Sequence, residues 1–136
     1  MSRWLVFLAI LAGAAGAARA ETPQASFMAD GLTLEKVAFG SELRDRELLD
    51  PGESFRIGQR VYCWNLITGG KPGELVRHVW FHEGQEIQSV ELTVEFPYWR
   101  TWSFKTLDPG TAGAWRVEIR DERGTILGAQ TFTCAQ

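Results

Sequence analysis

From Leu32 onward, short runs of β-branched and aromatic residues are interrupted by Gly, Pro or Asp, about every 8–12 residues. No stretch of useful length keeps an apolar face at helical spacing. That rhythm predicts an all-β chain, an immunoglobulin-like antiparallel β-sandwich of about seven strands. The expected strands are residues 32–39, 60–68, 75–82, 87–96, 99–106, 114–120 and 125–134. The charged segment 40–50 reads either as a solvated strand or as an irregular crossing, and 55–57 as a short edge piece. Gly69-Gly70-Lys71-Pro72-Gly73 can only be a loop, whereas Glu83-Gly84-Gln85 and residues 121–124 suit tight hairpin turns. No internal repeat is present, which excludes a solenoid or propeller.

The N-terminus belongs to a different physical regime. Arg3 precedes an uninterrupted apolar run, residues 4–12, and small residues then lead to Ala18-Arg19-Ala20. This is the layout of a cleaved secretory signal over residues 1–20. The apolar run is shorter than the roughly 20 residues that span a bilayer, and no Cys follows it for lipid anchoring. Residues 21–30 read as a flexible leader and 31–136 as one domain, periplasmic or secreted, with no membrane span after cleavage. Of the 14 basic residues, Arg3 and Arg19 leave with the signal, so 12 face 17 acidic ones, a net charge of −5. That balance opposes nucleic acid, whose non-specific binding rests on Lys and Arg neutralising phosphates.

Cys63 and Cys134 are the two cysteines. In an exported protein a structural disulfide is the first expectation. It would close a loop of about 72 residues, worth about 4 kcal/mol in the chain-entropy model. Two buried thiols or a metal site are the alternatives.

Alternation along strands assigns faces. Trp115, Val117 and Ile119 alternate with Arg116, Glu118 and Arg120, the cleanest inside/outside pattern in the chain. Val61, Cys63 and Ile67 are expected inward, as are Ile126, Phe132 and Cys134. Val79 and Phe81 are expected inward against Val90, Leu92 and Val94, and Trp102 and Phe104 inward on the strand 99–106. The opposite faces would then gather Tyr62, Trp64, His78, Trp80, His82 and Trp99 on one surface, with Thr101 and Ser103 also outward. Exposed aromatics in that number mark an interaction site, which would recognise a protein or a glycan or form a homodimer contact. The competing reading buries them under loops and strand ends. Arg100, between Trp99 and Trp102, either ties its strand to Glu95 or Asp108 or grips a partner's carboxylate.

Reactive chemistry finds little footing. A nucleophile needs a base and an orienting group, and Ser103 could meet His78 only through a tertiary contact. There is no G-x-S-x-G elbow. His78 and His82 on one strand stand about 13 Å apart, too far to share a metal, so neither metal nor cofactor is expected. Glu91 and Glu95 share a strand face but suit solvation as well as acid/base work.

Several pieces in order resemble one family. Arg44-Asp45-Arg46-Glu47, Val61-Tyr62-Cys63-Trp64, His78-Val79-Trp80, the run 99–107, Gly113-Ala114-Trp115-Arg116-Val117 and the hairpin 121–127 are similar to the bacterial domain of unknown function 2914. The resemblance runs from about Leu34 to Phe132, with Cys134 outside it. It implies a compact extracytoplasmic β-domain in which His78, Trp80, Trp99 and Arg100 belong to a shared framework, and it implies no catalytic residues. The expected function is a non-enzymatic binding or accessory domain for an envelope protein or glycan, through His78, Trp80, Trp99, Arg100, Trp64 and Tyr62. A hydrolase or other enzyme with an unrecognised site and a structural subunit of an envelope complex are the alternatives.

Overall fold

The computed structural model describes residues 31–136; the expected signal and leader lie outside the described residues. Nine strands form two sheets: β1 (Thr33–Arg44), β2 (Glu47–Pro51), β3 (Ser54–Arg56), β4 (Arg60–Thr68), β5 (Glu74–His82), β6 (Gln85–Val94), β7 (Tyr98–Thr106), β8 (Gly113–Asp121) and β9 (Ile126–Ala135). One sheet has the order β2-β1-β4-β7 and the other β3-β9-β8-β5-β6. The expected all-β sandwich is present, with nine strands in place of about seven. The two additions come from the charged segment after Gly40 and the short piece around Phe55. All pairings are antiparallel except β3 with β9, where Ser54, Phe55 and Arg56 run parallel to Thr133, Cys134 and Ala135. No helix of the described residues is long and apolar enough to cross a membrane.

Gly40 shapes the first sheet. β1 pairs with β4 as far as Gly40–Tyr62, and beyond that point pairs only with β2. A Cβ at Gly40 would lie 2.5 Å from Leu49 O and 2.8 Å from the Leu48 side chain, so only glycine admits this approach. The hairpin turns through Asp45 and Arg46, both at positive φ (50° and 66°), the backbone of a two-residue hairpin turn.

Between the sheets, Phe39, Val61 and Cys63 meet Trp80, Trp115, Val117, Ile119, Phe132 and Cys134 in one buried cluster. Its rings interlock: Trp115 stacks on Phe132 at 5.5 Å, while Phe39 meets Phe132 edge-on at 4.7 Å and Trp80 meets Trp115 at 6.3 Å. Such geometries add about 0.5–1.5 kcal/mol per pair beyond area burial. A smaller cluster of Ile67, Val76 and Val94 fills the other end, with Trp99 packed against it.

The inward sets of β4, β6, β8 and the Phe132–Cys134 end of β9 are as expected, but two strands are turned over. On β5, Val76, His78 and Trp80 point between the sheets, opposite Leu92, Val90 and Gln88. On β7, Thr101 and Ser103 are the buried pair and Phe104 is exposed. Both faces of β5 carry large apolar residues, so alternation alone does not choose between them, and a bulge interrupts the β5–β6 register at Trp80/Phe81. Ile126, expected inward, is exposed.

The expected bridge is also absent. Cys63 and Cys134 are both buried and both free. A disulfide needs Cα atoms within about 7 Å and converging Cβ vectors. Here rings of Phe39, Phe55 and Phe132 fill the cluster that the two thiols enter. Burial pushes the Cys63 thiol well above the usual range, which leaves it an inert apolar group. Denatured, unreduced protein is therefore expected to titrate two thiols per chain with a chromogenic disulfide reagent, and a value of zero would restore the bridge.

Candidate functional site

Burying His78 places an imidazole between the sheets, and its partners come from the opposite one. Asn65 Nδ2 lies 2.6 Å from His78 Nε2, His78 Nδ1 lies 2.6 Å from Ser103 Oγ, and Trp80 Nε1 donates to the same Oγ at 3.0 Å. Asn65 and Ser103 stand on β4 and β7; His78 and Trp80 stand on β5. With the amide as placed, Nδ2 donates to Nε2 and the proton of the neutral ring sits on Nδ1, donating to Ser103; this tautomer is assigned from the network. Asn65 Oδ1 is left without a partner. The contact of Ser103 with His78 is the one that nucleophilic chemistry would require, yet His78 is fully buried and Ser103 nearly so. Desolvation lowers the His78 pKa from 6.5 to about 3, so the ring is a weak base sealed from any substrate.

The outward residues form a different constellation. On the outer face of the first sheet, Tyr62, Trp64 and Leu66 of β4 lie opposite Phe104, Trp102 and Arg100 of β7. The β1–β2 turn reaches over this face to the free edge of β7. Trp64 Nε1 donates to Arg46 O at 3.0 Å, and Arg46 Nη2 donates to Arg100 O at 2.7 Å. The Arg46 guanidinium lies 4.5 Å from the Trp99 ring centroid and 5.3 Å from that of Trp102. Arg100 in turn pairs with Glu47 at 2.6 Å. Arg46 thus holds a left-handed backbone that costs a non-glycine residue about 1–2 kcal/mol, and four partners hold it there. Gln88 Nε2 donates to the Phe104 carbonyl at 3.2 Å, so side chains cover two carbonyls of the β7 edge. A covered edge resists pairing with a foreign strand.

What remains open is aromatic. Phe96 is 60% exposed, Tyr98 59% and Phe104 46%. Phe104 sits 5.6 Å from Tyr62 and under the Arg60 guanidinium at 4.4 Å, and Phe96 sits 5.5 Å from Trp99. Shallow depressions of about 190 and 290 Å³ border Arg46, Trp99 and Arg100 on two sides.

Of the residues expected to form one surface, Trp64, Trp99 and Arg100 do gather around Arg46, and Tyr62 lies farther along the same face against Phe104. His78 and Trp80 do not; they are core. His82 leaves the surface as well, its Nε2 bonded to Ala112 O at 2.8 Å and its ring against Trp115 at 5.1 Å. Arg100 takes neither Glu95 nor Asp108 but Glu47. Sequence reasoning gave Arg46 no role, because Asp45-Arg46 lacks the glycine that marks such turns. The clue was the resembling charged piece 44–47, whose Arg and Glu both meet the run 99–102. No group of three or more His, Cys, Asp or Glu able to hold a metal occurs among the described residues.

Two expectations follow. Unfolded His78 takes up a proton near pH 6.5 and the folded ring only near pH 3, so the stability it contributes is complete above 6.5. It is lost as the pH falls toward 3, at about 1.4 kcal/mol per unit. Urea denaturation at pH 7 and 4.5 is expected to show wild type losing about 2–3 kcal/mol more than His78→Gln, and equal losses would refute the assignment. Arg46→Ala is expected to cost about 2–3 kcal/mol from lost cation–π and charged hydrogen bonds. Arg46→Gly should cost about 1 kcal/mol less, since glycine relieves the left-handed turn; the reverse order in thermal melts would mean that the turn is unstrained.

Comparison with known proteins bears on fold and family. A model of the family described as "Protein of unknown function (DUF2914)" matches residues 73–134. No curated protein sequence matches. Among solved structures, the alkylpurine DNA glycosylase AlkC of Pseudomonas fluorescens, bound to DNA containing an abasic site analog, is similar at 12% identity and a TM-score of 0.52. The alignment covers 81% of this chain and 33% of the glycosylase, so the chain spans about a third of that protein's length and the likeness concerns the fold alone. A beta-glucosidase from Listeria innocua (6% identity, 78% of this chain, 16% of that one, TM-score 0.46) and a Niemann-Pick type C2 protein from Japanese carpenter ant (12%, 77%, 92%, 0.46) are more distant. The family match takes in His78, Trp80, Trp99 and Arg100, reaches Cys134, and begins after Arg46 and Trp64. Residues 73–134, which carry β5 to β9, are thus similar to the DUF2914 family of proteins of unknown function, in keeping with the resemblance read from the sequence.

Proposed function

We propose that this is a periplasmic or secreted, non-enzymatic binding domain that recognises an envelope protein or glycan through the aromatic outer face of β4 and β7. One observation carries the reading: Phe96, Tyr98 and Phe104 stand exposed around a turn whose Arg46, Trp64, Trp99, Trp102 and Arg100 are locked to one another. Aromatic side chains present large contact area with few rotors to freeze, which is why Tyr and Trp dominate binding hot spots. The rings here flank a rigid centre. Because the β7 edge is covered, a partner meets side chains and not a free strand. Export is supported by the charged, apolar and small-residue order of residues 1–20.

The test separates surface from core. Tyr98→Ala and Phe104→Ala remove exposed rings and are expected to leave the melting temperature within a few degrees of wild type. Immobilised variant protein should then lose the envelope proteins or polysaccharides that wild type retains at matched salt. Equal retention by wild type and the double variant would sink the reading. Sedimentation of the same pair shows whether the retained partner is a second copy of the chain. Trp80→Ala is no test of binding, since emptying that buried site costs about 3–5 kcal/mol.

A further inference from the structure

The outer face of the second sheet carries a site of different chemistry. On β8, Arg116, Glu118 and Arg120 point the same way, and Glu118 is 2% exposed although it stands on an outer face. Its two carboxylate oxygens are taken by different arginines. Arg116 Nη2 bonds Oε2, while Arg120 Nε donates to Oε1 at 2.9 Å with Nη2 bonding the same oxygen. Two guanidiniums share the Glu118 carboxylate, and Glu53 lines the same depression, so the formal charges there balance, two of each sign. What the site offers is the unused N–H groups of Arg116. The neighbouring Arg77 adds no charge, because Glu91 neutralises it at 2.6 Å. Arg116 stays half exposed, with its guanidinium 5.2 Å from the Phe81 ring centroid.

These arginines floor a trough of about 910 Å³ that crosses β5, β8, β9 and β3. That is within the range of small-ligand sites, roughly 300–1,000 Å³. Beside Arg116 on β9 stands Thr131; Thr133 follows, and Ser54 pairs with it on β3. The wall opposite the charge is thus a row of hydroxyls. Glu53 closes the rim, its Oε1 3.5 Å from Gln130 Nε2, and offers an acceptor.

We propose that this trough binds an acidic saccharide, a uronic-acid oligomer, with its carboxylate on the outward N–H groups of Arg116 and Arg120 and its hydroxyls on Thr131, Thr133 and Ser54. Burial of the Glu118 carboxylate requires partners on both oxygens, which Arg116 and Arg120 supply, yet Arg116 stays half exposed with N–H groups that this pairing does not use. Glu118 is a positioning residue: it fixes both planar forks, and a fixed guanidinium meets a carboxylate bidentately at low entropic cost. Sugar hydroxyls are both donors and acceptors, as are Thr and Ser side chains. A simple anion would use the arginines alone and leave the hydroxyl row idle. This site shares no residue with the aromatic face of β4 and β7.

Trigalacturonate titrated into the full-length purified protein, read by calorimetry and by amide chemical shifts, tests the assignment. Neutral maltotriose and sodium acetate are the comparators. Trigalacturonate is expected to bind at least ten times more tightly than either and to weaken as salt is raised. Arg116→Gln should lose tenfold or more of that affinity, and Thr131→Val, isosteric on a strand, severalfold, with circular dichroism unchanged. Lys71→Gln, in the loop before β5 and outside the trough, should bind as wild type does. Equal binding of maltotriose or acetate, undiminished binding by Arg116→Gln, or none up to concentrations on the order of 10 mM would overturn the proposal.

Discussion

The hydrogen bonds that join Asn65, His78, Ser103 and Trp80 govern how the two sheets meet. Each sheet contributes polar atoms that it cannot satisfy within itself, and all but the Asn65 oxygen find a complement across the gap. A buried amide or hydroxyl left alone costs about 1–3 kcal/mol, so sliding one sheet over the other by a residue would incur several such losses together. Apolar contacts are non-directional and would tolerate that slide. The network therefore supplies the register that the interlocked rings of Trp80, Trp115, Phe39 and Phe132 cannot impose alone. Its unpartnered Asn65 oxygen is the point where that fit is incomplete.

Turning His78 and Trp80 inward has consequences for both outer faces. On β7, Ser103 and Thr101 must share the inner face with their partners, so Trp102 and Phe104 are forced outward beside Trp64 and Tyr62. That much aromatic surface on one face invites association. The β1–β2 hairpin answers part of the problem, since Arg46 and Glu47 cover Trp64, Trp102 and the β7 edge. What stays exposed lies at the two ends of the covered patch. On β5 the same inversion sends Val79 and Phe81 outward. Val79 is buried there beside Glu118, its cross-strand neighbour, which helps explain why that carboxylate sees so little water.

The fold class was legible because turn residues and strand runs are local signals. The faces of β4 and β8 were legible because one side of each is plainly apolar or plainly charged. β5 and β7 misled for a single reason. Scoring His78, Ser103 and Thr101 as outward assumes that polar groups seek water, and here they satisfy one another in the core. The charged hairpin 40–50 was ambiguous because its turn is made by Asp45 and Arg46 without glycine, stabilised by rings that are distant in sequence. Cys63 and Cys134 were placed correctly on inward faces, but sharing a core is not sharing a bond. Inter-sheet distance is set by the rings between, and no spacing rule reads it.

The same network bears on what chemistry the domain can do. Ser103, His78 and Asn65 hold the residue types of a nucleophile, a base and an orienting group, and two of the distances are 2.6 Å. Geometry of that kind is necessary but not sufficient. A general base works best with a pKa near the operating pH, and one lowered to about 3 gains little by accepting a proton at neutrality. Burial causes that shift and also excludes substrate, so any opening that admitted a substrate would break the network that aligns the groups. Reactivity and structural role exclude each other at this position. The two surfaces proposed for recognition lie instead on the outer faces, one aromatic and stiffened by Arg46, the other polar and floored by Arg116, Glu118 and Arg120.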